Sequence, residues 1–248
     1  MFWDEVPYMI DNIRQADGEQ AAAEVLDTLR SLRQEHAELR MVFTGSIGLH
    51  HVLSSIRDAH IASAPVNDMF AIEVTPLAPA DAAALANALI QGENLRTTNV
   101  DEAAITVADE ADCFPFYIHH IVSGLKLEAL PAVPEQIRDL VERQLVDAND
   151  PWELGHFRDR IAVYYRQDQD AKLVRLILDV LATDAQARSV SQLLNAVNAQ
   201  STEFDDRDKL VQILRLLERD HYVSRDPDGN YQFRFPLIRR WWKLDRGF

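Results

Sequence analysis

Cysteine is almost absent: Cys113 is the only one in 248 residues. An intramolecular disulfide is excluded, and so is a thiolate cluster of the kind that holds a structural zinc. No apolar run approaches the ~20 residues of a membrane-spanning helix. No basic stretch precedes an apolar one at the N-terminus, so no signal peptide is expected. With the lone thiol, this points to a reducing, cytoplasmic setting. Glycine is scarce at eight residues, and none of them is followed by lysine. A phosphate-binding loop of the form G-x-x-x-x-G-K-[ST] is therefore missing from these residues. Gly-x-Ser-x-Gly is missing too, so nothing suggests a serine hydrolase. The paired histidines, His50-His51 and His119-His120, are chain neighbours. On a helix such neighbours diverge by about 100°, so neither pair is expected to form a two-ligand metal face.

Basic charge is short in one part of the chain only. The net charge is −15, yet residues 171–248 hold 13 Lys+Arg against 11 Asp+Glu, while the first 170 hold 12 against 29. The N-terminal part should repel nucleic acid at long range, and only the C-terminal part is suited to touch it. Apolar residues make up 47% of the chain, enough for a folded core rather than disorder.

The chain opens with Met1-Phe2-Trp3 followed by Asp4-Glu5. An apolar strand ending in Asp-Glu has the form of a Walker B motif. Its Asp would hold Mg²⁺ and its Glu would orient or deprotonate the attacking water. The bland alternative is a solvated acidic turn ahead of a helix. Residues 20–36 read as an amphipathic helix, with Val25, Leu26, Leu29 and Leu32 on one side. Met41 to Thr44 is a short apolar run stopped by Gly45, which reads as a buried parallel strand. Thr44 and Ser46 follow its end, where a hydroxyl would sense a γ-phosphate or align water; a simple Thr-Gly-Ser turn is the other reading. A further strand is expected at 70–75, where Phe70, Ile72 and Val74 alternate.

After Pro76 the pattern turns helical. Pro79 and Asp81 open an Ala-rich helix, and Asn99 with Glu102 resembles a capping box. Ile118, Ile121, Val122 and Leu125 mark a third helix, and Ile137, Leu140, Val141 and Leu145 a fourth. From about residue 150 come a helix bearing Phe157, Ile161 and Tyr165, then helices at 171–182, 190–199 and 206–220. Two short strands around Asp226-Pro227-Asp228-Gly229-Asn230 form a hairpin. Three helices and then a hairpin is the winged-helix order. Trp241 and Trp242 read as core or interface anchors.

This order resembles the archaeal/bacterial ATPase family in the STAND branch of the AAA+ P-loop proteins. Phe2 to Pro7 resembles its Walker B, and Met41 to Ser46 the next core strand, ending in sensor 1. Leu77 to Ala82 resembles the start of its helical lid. Phe114-Pro115-Phe116-Tyr117-Ile118 resembles the lid's Gly-x-Pro segment. Phe235 to Trp242 resembles the end of its winged helix. The resemblance implies an α/β plus all-α protein: a partial P-loop NTPase parallel sheet over 1–75, a helical lid over 76–149 and a winged helix over 150–248. It implies an ATP-driven switch in which Asp4 holds the metal, Glu5, Thr44 and Ser46 are catalytic, and Pro115 packs near the adenine. ATP and Mg²⁺ are expected only together with the missing loop. Two departures stand out. The loop and the first strand are absent, and the Gly before the lid proline is Asp112 or Cys113, depending on register. A sheet without its central strand exposes edges and an apolar face, so self-association or a protein partner is expected. The second reading is a non-enzymatic DNA-binding or protein-interaction module.

Overall fold

The computed structural model describes residues 1–45, 48–58, 64–165, 167–184 and 186–248. The chain divides into two compact units, Met1–Glu73 and Val74–Phe248. The fold is mostly helical, with two small two-stranded sheets among the described residues.

In the first unit, β1 (Phe2–Trp3) and β2 (Val42–Phe43) pair in parallel, Phe2 with Val42 and Trp3 with Phe43. Helices α1 (Val6–Asp17), α2 (Glu19–Glu35) and α3 (Leu49–Asp58) complete it. Side chains alternate across a strand, so the two pairs face opposite ways. Trp3 and Phe43 pack on the core of Val6, Ile10, Ala22, Ala23, Leu26, Val52 and Ile56. Phe2 and Val42, on the other face, are 84% and 40% exposed. The 20–36 helix is present as α2. Ahead of it stands α1, whose buried face is Val6, Pro7, Ile10 and Asp11; Pro7 suits a first helical turn.

The strand expected at 70–75 is not formed. Among the described residues it joins no ladder, and Phe70, Ile72 and Val74 are 95%, 86% and 92% exposed. Alternation prepares a segment for a pleated, half-buried place, but a strand also needs a neighbouring strand to bond and a face to bury.

In the second unit, α4 (Pro79–Gly92), α5 (Val100–Glu110), α6 (Pro115–Leu127) and α7 (Pro134–Leu145) come first. Proline occupies the first turn of α4, α6 and α7, where its missing N–H has no intrahelical partner to lose. Asn99 caps α5 by accepting the amides of Asp101 and Glu102. Then follow α8 (Gly155–Tyr164), α9 (Asp168–Thr183), α10 (Val190–Gln200) and α11 (Arg207–Arg219). The antiparallel hairpin of β3 (Val223–Arg225) and β4 (Tyr231–Phe233) leads into α12 (Pro236–Asp245). A reciprocal capping box, Ser189 with Gln192, starts α10.

One continuous core runs from Ala82 to Trp242, so 76–149 and 150–248 share it. Trp241 and Trp242 are buried in it. Trp242 donates its indole N–H to Asp179 at 2.8 Å, and Arg246 grips the same carboxylate at 3.0 and 2.8 Å. That buried carboxylate is neutralised and hydrogen-bonded, which a burial of this kind requires.

Candidate functional site

The parallel register brings Asp4 and Thr44 side by side just past the ends of β1 and β2. The Thr44 amide donates to the Trp3 carbonyl at 2.9 Å, and the Val6 amide donates to the Thr44 carbonyl at 3.0 Å. These bonds fix the two strand ends against each other. The Thr44 hydroxyl then donates to Asp4 Oδ1, which also accepts the Glu5 amide at 2.9 Å. One carboxylate oxygen is thus committed. Among the described residues, Asp4 Oδ2 and the Glu5 carboxylate have no protein partner. All three side chains face solvent.

Glu5 lies in the left-handed region, at φ 50°, where the chain leaves β1 and enters α1. Its carbonyl accepts the Met9 amide at 3.0 Å, so the turn is bonded into the helix while the side chain is left out of it. A non-glycine residue held at positive φ costs of order 1 kcal/mol and persists where the surroundings impose it. Gly45 has a packing reason. A Cβ there would lie 2.5 Å from Pro7 Cδ and 2.7 Å from Cγ. Only glycine lets β2 leave past the first turn of α1.

Mg²⁺ asks for oxygen ligands and keeps several waters. A free carboxylate oxygen beside a hydroxyl fits one corner of such a shell. The triphosphate is a poorer fit to these residues alone, because no glycine-rich loop or following lysine accompanies them. Ser46 lies outside the described residues.

Pro115 belongs to the second unit. It is exposed and is the first residue of α6. The turn before it is built from two left-handed residues, Asp112 at φ 47° and Cys113 at φ 59°. The Asp112 amide donates to the Asp109 carbonyl at 3.1 Å and the Cys113 amide to the Ala108 carbonyl at 2.9 Å. This is a Schellman ending of α5, with Asp112 at the position usually held by glycine. Asp112 and Cys113 are the two positions at which, depending on register, the resemblance expects a Gly. Burial raises the Asp112 carboxyl to about 6, against the Leu237 amide and Arg240, which pull it down. Sequence reasoning passed over Asp112 as a functional residue. The signal was there in part: a non-glycine residue just before a helix-starting proline.

No family model matches the chain, and no curated protein matches it. Among solved structures, it is similar to the Walker-type ATPase PABY2304 of Pyrococcus abyssi, with a TM-score of 0.69 at 14% identity over 98% of this chain and 62% of that one. A second structure is the Holliday junction branch migration motor RuvB of Thermotoga maritima, with a TM-score of 0.39 at 14% identity over 92% of this chain and 65% of that one. The chain therefore spans less than two thirds of the length of either structure. The first likeness is one of fold: the chain is folded like part of a Walker-type ATPase.

Proposed function

We propose that this chain is the C-terminal portion of a STAND-type AAA+ ATPase switch whose phosphate-binding loop lies outside these 248 residues. On this reading residues 1–75 are the partial ATPase core, 76–149 the helical lid and 150–248 the winged helix. The observation that carries it is the pairing of Asp4 with Thr44 across two parallel strand ends, with Asp4 Oδ2 and Glu5 left open. Asp4 would hold Mg²⁺ directly or through water, which supplies the charge that phosphoryl transfer needs. Thr44 orients the Asp4 carboxylate, and Thr44 or Ser46 would sense the γ-phosphate. Glu5 places the attacking water and takes its proton. Pro115 packs against the adenine. The alternation of Phe70, Ile72 and Val74 supports the same reading, because it is a strand pattern that joins no ladder among the described residues.

The test is ATP hydrolysis by the protein isolated from its own cells, with Glu5→Gln beside it. Glu5→Gln should lower turnover by at least about a hundredfold while MgATP still binds, since the carboxylate acts on the water and not on the nucleotide. Equal turnover in the two proteins would end the assignment of Glu5.

A second reading, duplex DNA binding by the C-terminal helices and hairpin, has one observation in its favour. Arg207, Arg215 and Arg219 on α11 are exposed, and none has an ion-pair partner among the described residues.

A further inference from the structure

The carboxylate of Asp112 reaches out of its own turn. Its Oδ2 accepts the backbone amide of Leu237 at 2.6 Å, across 125 residues of chain. Leu237 is the second residue of α12, and Phe235, the N-cap residue, supplies no side-chain cap. The amides of a helix's first turn have no partner within the helix. Asp112 therefore caps α12 from the α5–α6 turn. Neighbouring contacts join the same two elements. Arg240 of α12 donates to Glu110 at 2.5 Å, and Arg138 of α7 approaches Glu110 at 3.6 Å. Phe114 meets Phe235 edge to face at 4.7 Å. On the other side of the turn, the Leu77 amide donates to the Cys113 carbonyl at 3.1 Å.

We propose that Asp112 is a positioning residue that links the start of α6, where Pro115 sits, to the docking of α12. Glycine would be the easier residue at this left-handed position. Aspartate accepts the strain and supplies an acceptor that glycine lacks. Because Asp112 immediately precedes Cys113, Phe114 and Pro115, a shift of the turn moves the start of α6 and the cap of α12 together. Linkage then runs both ways: whatever holds Pro115 steadies α12, and loosening α12 frees the turn. The role as a nucleotide link rests on the adenine contact proposed for Pro115; the mechanical link does not.

Hydrogen exchange on the whole chain tests it without any nucleotide. Asp112→Gly keeps the left-handed turn and removes the acceptor. Asp112→Asn keeps an acceptor and also tolerates the turn. In Asp112→Gly the Leu237 amide should exchange about tenfold faster or more, as expected for losing a charge-assisted bond. In Asp112→Asn it should stay within about threefold of the parent. Arg240→Ala, altered only on the α12 side, should speed exchange of the Cys113 and Phe114 amides. The α9 amides serve as the reference for global opening. Unchanged Leu237 exchange in Asp112→Gly overturns the cap. Unchanged turn amides in Arg240→Ala overturn the coupling and leave Asp112 a simple cap. No outcome here depends on ATP, so the cap and the coupling stand or fall by exchange alone, while the ATPase reading stands or falls by the turnover of the protein from its own cells and of its Glu5→Gln variant.

Discussion

Asp112 also makes stability depend on pH, in a direction opposite to most acids. Its folded value, about 6, lies above the ordinary carboxyl value because burial disfavours the charged form. The folded chain thus binds this proton more tightly than the unfolded one. Stability from this group is full at acid pH, falls as pH rises from about 4 to about 6, and is constant above that. A shift of roughly two units corresponds to about 3 kcal/mol at neutral pH as an upper figure. Asp112→Asn removes the titration and keeps an acceptor for Leu237. It should match the parent near pH 4 and be more stable at pH 7.5, by up to about 3 kcal/mol in urea denaturation. A difference between the two proteins that does not change with pH would show that Asp112 is not the group responsible. Gly45 shows another side of the same scale. In the sequence it reads as the stop of a strand, but in the fold its reason is the approach of Pro7. Contacts between residues distant in sequence leave no mark in composition or period, and the Asp112–Leu237 bond, across 125 residues, is one example.

At the scale of elements, α11 decides the DNA question. Arg207, Arg215 and Arg219 are exposed, but Asp208 shares the exposed surface and Asp205 and Asp206 precede the helix. Lys209 is already engaged, with Nζ 2.6 Å from Asp170. Binding to a 20-bp duplex is therefore expected to be weak, with a log–log salt slope no steeper than about −3, one phosphate for each free arginine. Fluorescence anisotropy between 50 and 200 mM salt would measure it, and Arg207→Ala with Arg215→Ala and Arg219→Ala should abolish it. Binding that survives the triple change would place the contact elsewhere; a steeper slope would mean α11 is not the main surface. Helices such as α2, α9 and α11 were legible because period 3.6 reports the face that will be buried, whatever it is buried against. The capping box at Ser189 was just as legible and went unread. The 70–75 segment was misread because period 2 reports suitability for a sheet, while membership depends on a neighbouring strand that the pattern does not carry. The Asp4–Thr44 pair lay between these cases. The apolar runs placed both residues at strand ends, and only the parallel register put them in contact.

Taken whole, the first unit is a parallel sheet covered on one face. Parallel sheets are ordinarily buried on both, since their strands are apolar on both sides. Here Trp3 and Phe43 pack on helices, while Phe2 and Val42 are left on the open face. Phe70 and Ile72 add two more exposed apolar side chains with strand-forming character. Open edges and apolar faces of this kind invite pairing with another chain. The net charge of −15 opposes association of like chains, and salt screens that repulsion. The 28.2 kDa chain should therefore self-associate in a concentration-dependent way, and more strongly at 0.5 M than at 0.05 M salt. Size-exclusion chromatography with light scattering would show a mass of at least twice 28.2 kDa at high concentration. Placing Asp at both Phe70 and Ile72 should return the chain to a monomer, because charge on a pairing segment blocks strand addition. The helical unit of Val74–Phe248 should melt unchanged in that variant, as its core contains neither residue. A monodisperse, cooperatively melting monomer of the parent chain at every salt concentration would mean the sheet's open face is tolerated as it stands.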